Sequence, residues 1–168
     1  MPHPTILIAG IGNIFLGDDA FGCEVVKRLG ARSWPENVRV VDFGIRGFDL
    51  VYTLLEGYDL TILVDATPRG DEPGTLYTIE PDVDAIDARN GAMIETHGMN
   101  PMKVLSLVKS MGGEFRKILL VGCEPATFGP KEGQLGLSAP VQAAVEPAAV
   151  VVERLVNKFC EAPAVVCE

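Results

Sequence analysis

Short apolar segments recur along the chain and predict five β-strands, at residues 6–9, 38–42, 60–65, 75–80 and 117–123. The first and third segments are almost uninterrupted in apolar residues, which is typical of strands buried on both faces of a parallel sheet. The fourth follows the third after a turn rich in proline and glycine, with no helical segment between them. We therefore expect the fourth strand to pair antiparallel with its neighbour.

Between the strands, the apolar spacing changes to the 3.6-residue period of amphipathic helices. The predicted helices run from just after Asp18 to Leu29, and over residues 48–56, 101–111 and 139–159. Asn100 and Ser138 are the expected N-caps of the last two helices.

Strands that alternate with helices predict an α/β fold. We expect a single-domain three-layer sandwich, with a twisted, mostly parallel five-stranded sheet, helices on both faces and one antiparallel strand. The domain should span residues 1–159, and residues 160–168 are expected to form a disordered tail.

Charge and hydropathy narrow the choice of partners for the chain of 168 residues. A formal net charge of -9 argues against nucleic acid or an anionic membrane as the main partner, because both bind positive surfaces. The sequence contains neither an apolar stretch of membrane-spanning length nor a signal-peptide pattern at its start, so a cytoplasmic location is expected. The four cysteines include no closely spaced pair, which favours reduced structural thiols.

Three groups of polar residues are expected at one edge of the sheet, since ligands of α/β proteins bind beyond the carboxyl ends of the strands. Asp18 and Asp19 follow the first strand, and Asp65 ends the third. His97 closes residues 81–98, a long segment without helical or strand periodicity. Two carboxylates and one imidazole could form an open metal site suited to hydrolysis.

Each of these residues also has a structural interpretation. Asp18 stands where an N-cap is expected, and Asp19 could then be free for another role. Asp65 could begin a turn with the following residues, and a single loop histidine such as His97 is often incidental. Spacing alone does not choose between Asp18 and Asp19.

Other chemistries find less support. The glycine-rich turn at residues 10–13 could hold a phosphate, but it lacks the third glycine of the dinucleotide fingerprint and the Gly-Lys-Ser/Thr of a Walker motif. Neither a G-x-S-x-G elbow nor an HExxH motif is present. A cysteine protease that pairs Cys23 or Cys123 with His97 stays open, although both cysteines are expected to be buried.

Several motifs, in one order along residues 5–155, resemble those of the [NiFe]-hydrogenase maturation endopeptidases. They are Ile-Ala-Gly-Ile-Gly-Asn-Ile-Phe-Leu-Gly-Asp-Asp at 8–19, Leu-Val-Asp-Ala at 63–66, Glu-Pro-Gly-Thr at 72–75, Thr-His-Gly-Met at 96–99, Val-Gly-Cys-Glu-Pro at 121–125 and Gly-Leu-Ser at 136–138. The family fold is a twisted sheet between helices, in agreement with the pattern above.

The resemblance implies a function and a site. Family members remove a C-terminal extension from the hydrogenase large-subunit precursor after nickel has been inserted. Three residues implicated in engaging nickel match Asp19, Asp65 and His97, so the resemblance selects Asp19 over Asp18. The expected cofactor is nickel supplied by the precursor, and the expected partner is that precursor.

Some positions depart from the commonest family pattern. Phe43 and Ile45 stand where many members have glycine and threonine, and Gly98 follows the histidine where a larger polar residue is frequent. The loop at residues 44–47 is thus a candidate for precursor specificity. Two alternatives remain: a non-catalytic chaperone that docks on a nickel protein, and a nucleotide-binding α/β enzyme that uses residues 10–13.

Overall fold

The computed structural model describes residues 3–86 and 100–161. Five strands form one sheet in these residues: β1 (Ile6–Ile11), β2 (Val38–Gly44), β3 (Leu60–Ala66), β4 (Leu76–Ile79) and β5 (Lys117–Cys123). Their order across the sheet is β2-β1-β3-β5-β4. All neighbouring pairs are parallel except β4 and β5, which are antiparallel. This confirms the predicted mostly parallel sheet with one antiparallel strand.

Helices cover both faces of the sheet, as predicted. They are α1 (Phe21–Gly30), α2 (Gly47–Leu55), α3 (Pro101–Ser110) and α4 (Ala139–Glu161). Successive residues of β1 point to opposite faces, so Ile6 and Ile8 pack into the core beneath α1 and α4. Leu7 and Ala9 pack into the second core, beneath α2 and α3. None of the helices in the described residues is long and apolar enough to cross a membrane.

The last two helices begin where the sequence indicated. The Asn100 side chain accepts a hydrogen bond from Met102 N at 2.9 Å, which confirms the predicted N-cap of α3. Helix α4 continues to Glu161, two residues into the predicted tail, because nothing in the sequence ends it before Pro163. The rest of that tail, residues 162–168, lies outside the described residues.

Helix α1 packs unusually close to the sheet, and this contact positions the loop that precedes it. A Cβ atom on Gly22 would lie 2.1 Å from Val64 O and 2.3 Å from Ile11 O. Only glycine therefore allows this approach to the ends of β1 and β3. The turn just before α1 is held at the carboxyl edge of the sheet as a result.

Candidate active site at the carboxyl edge of the sheet

Asp19 lies on a single 3-10 turn, Gly17–Ala20, that joins β1 to α1. Its half-buried carboxylate accepts a hydrogen bond from Asn13 N at 3.0 Å. Burial raises the pKa of Asp19, and the hydrogen bond from Asn13 offsets only part of that effect. The hydrogen bond from Asn13 thus holds the Asp19 carboxylate in place, while burial makes its ionised form less stable.

Asp65 is the second-to-last residue of β3 and is only 8% exposed. Its one hydrogen-bond donor in the described residues is the Ala66 backbone N–H, at 2.9 Å. Burial raises the pKa of Asp65 well above its ordinary value, and the nearby charge of Asp19 raises it further. The structure therefore brings Asp19 close enough to Asp65 for its charge to disfavour the ionisation of Asp65.

Such a pair is suited to a cation. Ionised carboxylates can only accept hydrogen bonds or bind cations. A cation between the two would offset both their mutual repulsion and the free-energy cost of burying their charges. No group of three or more His, Cys, Asp or Glu side chains in residues 3–86 and 100–161 is arranged to hold a metal ion. The third predicted residue, His97, lies outside the described residues.

Asp18 has a structural role, but it is different from the one predicted. The expectation that it caps the following helix is wrong, since neither the 3-10 turn nor α1 has a side-chain cap. Its fully buried carboxylate instead accepts hydrogen bonds from Ala126, Thr127 and Ser138. Burial acts to raise the pKa of Asp18, but these hydrogen bonds outweigh it and lower the pKa below its ordinary value. Sequence spacing could not reveal partners more than a hundred residues away.

A cleft of about 340 Å³ opens next to Asn13, the residue that binds the Asp19 carboxylate, although neither Asp19 nor Asp65 lines it. It is lined by residues 12–15, Cys23 and residues 42–46, so it lies between the β1–α1 and β2–α2 connections. Ile14, Phe15 and Ile45 at its walls are 47%, 60% and 50% exposed. Exposed apolar side chains of this size around a cleft are typical of a surface that receives another chain.

The two cysteines considered as nucleophiles are buried, as predicted. The Cys23 thiol donates a weak hydrogen bond to Gly12 O at 3.6 Å. Burial raises the pKa of Cys23, and Asp42, Asp19 and Asp65 raise it further. Burial raises the pKa of Cys123 to about 12. Neither residue supplies a thiolate at neutral pH, which argues against the cysteine-protease alternative.

The backbone N–H groups of Gly12 and Asn13 in the glycine-rich turn already donate hydrogen bonds within the protein. Gly12 N donates to Gly44 O at 3.0 Å, and Asn13 N donates to the Asp19 carboxylate. A phosphate cradle requires free N–H groups and no adjacent negative charge. These contacts argue against the nucleotide-binding alternative.

Two residues that contribute to the site were not predicted from the sequence. Asn13 orients Asp19 through its backbone N–H. Asp42 lies in the wall of the cleft, where its carboxylate accepts a hydrogen bond from Gly44 N and its carbonyl accepts one from Arg46. Asp42 ends a predicted strand just as Asp65 does, so the rule that singled out Asp65 could have found it too.

Comparisons with known proteins agree with this architecture. A family model described as HycI, hydrogenase maturation protease, matches residues 23–155. The hydrogenase 2 maturation protease of Escherichia coli is 31% identical over 144 residues, covering 85% of each chain. The hydrogenase expression/formation protein HupM of Azotobacter chroococcum is 36% identical over 150 residues, covering 88% of this chain and 69% of that protein.

A solved structure shows the same fold. The hydrogenase maturating endopeptidase HybD from E. coli superposes with a TM-score of 0.74 at 28% identity, covering 92% of this chain and 93% of that one. Together with the sandwich fold, these matches to maturation proteases show that the chain is a peptidase with an α/β fold. The chain belongs to the hydrogenase maturation protease family.

Proposed function

We propose that this protease removes the C-terminal extension of a [NiFe]-hydrogenase large-subunit precursor that already carries nickel. Asp19, Asp65 and His97 would engage the nickel of the precursor and so bring the scissile bond to the carboxyl edge of the sheet. The observation that carries this proposal is the buried Asp65 carboxylate, whose pKa is raised by burial and by the charge of Asp19. A carboxylate in that environment is stabilised when a cation arrives.

Two carboxylates and one imidazole are suitable ligands for a metal ion that the precursor brings with it. Nickel accepts imidazole and carboxylate ligands, and a site with few ligands selects a metal by geometry more than by affinity. Two carboxylates and one imidazole would leave the remaining coordination positions to the precursor. A bound divalent cation would polarise a peptide carbonyl and acidify a water molecule, which is the chemistry that hydrolysis needs.

The segment that contains His97 ends at the start of α3. Strand β5 runs parallel to β3 and begins soon after α3 ends, so the first residue of α3 lies toward the carboxyl edge of the sheet. His97 precedes Asn100, the N-cap of α3, by three residues. His97 itself lies outside the described residues, and its role is proposed from the resemblance of residues 96–99 to the family motif.

The cleft is suited to binding the precursor chain, and the loop at its rim is suited to distinguishing one precursor from another. Ile45, at the tip of the loop of residues 44–47, is half exposed, whereas Phe43 is buried and fixes the base of the loop. Arg46 lies over the Phe43 ring at 5.9 Å and pairs with Asp49 at 3.1 Å, so the loop has a defined shape. An exposed apolar tip on a firm base can discriminate between precursors by fit.

Replacing the site residues tests the proposal. We expect Asp19→Asn and His97→Ala each to abolish processing of a nickel-loaded precursor, while the melting temperature stays within a few degrees of the wild-type value. The measurement is the mobility shift of the precursor on a denaturing gel. Unchanged processing by both variants would refute the assignment.

Matched controls use the same chemical changes far from the site. Asp59 lies at the opposite edge of the sheet, where its carboxylate binds Thr5 and Arg116, and His3 is the other histidine of the chain. Asp59→Asn and His3→Ala should process the precursor at the wild-type rate. Co-elution of wild-type protein with an uncleaved precursor would instead favour the chaperone alternative.

A further inference from the structure

The carboxylate of Asp18 joins two parts of the chain that are distant in sequence. Its Oδ2 atom accepts hydrogen bonds from Ala126 N at 2.8 Å, Thr127 N at 3.1 Å and Ser138 Oγ at 2.8 Å. Its Oδ1 atom accepts one from Ser138 N at 2.7 Å. Four donors around one fully buried carboxylate make a strong, charge-assisted attachment.

Backbone contacts extend this attachment along residues 124–138, here termed the latch loop. Asp18 N donates to Thr127 O at 3.0 Å, and Gly17 N donates to Gln134 O at 2.8 Å. Gln134 N donates in turn to Phe15 O at 2.8 Å. The latch loop therefore lies along the whole segment from Phe15 to Asp18, which immediately precedes Asp19.

Close packing at Gly17 leaves this arrangement little freedom. Gly17 has a φ of +55°, and a Cβ atom there would lie 3.0 Å from Thr127 O. A side chain at residue 17 would therefore crowd the latch loop, and glycine is the residue that adopts this φ without strain. The backbone that carries Asp19 is thus shaped by residues more than a hundred positions further along the chain.

A buried charge is a costly way to attach a loop, because the carboxylate must be removed from water. The full set of four donors offsets that cost only in one geometry, so the attachment specifies one position of the turn. Asp19 stands next to Asp18 on that same turn, where its carboxylate accepts the hydrogen bond from Asn13 N. Small displacements of such a group have large effects on catalysis.

We propose that Asp18 is a positioning residue for precursor cleavage: its carboxylate fixes the latch loop against the 3-10 turn and thereby sets the orientation of Asp19. This inference rests on the proposed function, in which Asp19 engages the metal of the precursor. Asp18 itself is fully buried and takes no part in the contact with the precursor.

The test compares Asp18→Asn with Asp59→Asn. An asparagine at position 18 directs its NH₂ group toward at least one of the donors, so that hydrogen bond is lost. We therefore expect a lower melting temperature. We also expect a kcat reduced about 10- to 100-fold, with KM within about threefold of the wild-type value. Asp59→Asn also removes a charge that accepts hydrogen bonds, but at the opposite edge of the sheet. It should keep the wild-type kcat at a temperature where both variants are folded.

Ser138→Ala is a milder variant for the case in which Asp18→Asn does not fold. It removes one of the four donors and should lower kcat about threefold. A wild-type kcat in the folded Asp18→Asn variant, or in Ser138→Ala if that is the only folded one, would overturn the proposal. An equal loss of kcat in Asp59→Asn would also overturn it.

Hydrogen exchange provides a readout that does not depend on cleavage. The Asn13 amide donates to the Asp19 carboxylate, so its protection reports the position of Asp19. We expect Asp18→Asn to lower this protection and Asp59→Asn to leave it unchanged. Unaltered Asn13 protection in Asp18→Asn would contradict the proposal even if no precursor were processed.

Discussion

At the scale of single residues, two neighbouring aspartates have opposite electrostatic environments. Asp18 is fully buried, but four donors surround it and lower its pKa. Asp19 is half buried, with one backbone donor, and its pKa is raised. The number of donors, rather than burial, therefore separates the structural carboxylate from the one available to a ligand.

Asp65 should make the folded protein less stable at neutral pH. The pKa of Asp65 in the folded state lies well above the ordinary value of 3.8, so the native state binds more protons than the unfolded state between those two values. The free energy of unfolding then falls as the pH rises through this window. Asp65→Asn removes the effect and should raise the melting temperature at pH 7, although processing should be lost.

Thermal unfolding followed by circular dichroism at several pH values tests this prediction. A stabilisation of about 1 kcal/mol would appear as an increase of about 2–4 °C in a domain of this size. The difference between Asp65→Asn and the wild type should shrink toward zero as the pH falls to about 4. A variant that is less stable than the wild type at pH 7 would contradict the assigned pKa direction.

Residue identities in the site were only partly predictable. Asp19 follows the first predicted strand and Asp65 ends the third, and that position alone made them candidates. Choosing Asp19 over Asp18 required a resemblance, because the partners of Asp18 lie at residues 126–138. No sequence pattern indicates that the Asn13 backbone N–H orients Asp19.

At the scale of elements, the contact between α1 and the sheet is fixed by glycine. A methyl group at Gly22 would collide with the backbone oxygens of Ile11 and Val64, which cannot move without breaking the sheet. At Gly30, the last residue of the same helix, a methyl group would have no neighbour within 4 Å. One helix thus contains a glycine that is required and one that is not.

Alanine at these two positions should have opposite effects. We expect Gly22→Ala to lower the free energy of unfolding by about 3 kcal/mol or more, as severe overpacking does. Gly30→Ala should be neutral or raise it by up to about 0.5–1 kcal/mol, because alanine favours the helix. Urea unfolding measures both, and equal effects of the two substitutions would contradict the close contact of α1 with β1 and β3.

Strands and helices were predictable to within a few residues, whereas the connection before α1 was not. The periodicity gave a helix beginning just after Asp18, but residues 17–20 form a 3-10 turn and α1 begins at Phe21. In that turn, Gly17 N donates to Gln134 O and Asp18 N donates to Thr127 O. Local sequence patterns carry no information about such distant contacts.

At the scale of the whole molecule, two apolar cores on either side of one sheet account for the fold. Every residue of β1 and β3 is buried, and this is why their continuous apolar runs were the clearest signals in the sequence. Parallel strands place their carboxyl ends at one edge, and the candidate site follows from that topology. The chemistry at this edge separates the molecule from other α/β proteins of similar architecture.

The dependence of cleavage on nickel is measured by the mass of the large-subunit precursor after incubation with this protein, with and without nickel in the precursor. We expect that only the nickel-loaded precursor loses a C-terminal peptide. Equal cleavage of both forms, or cleavage of neither, would contradict this expectation.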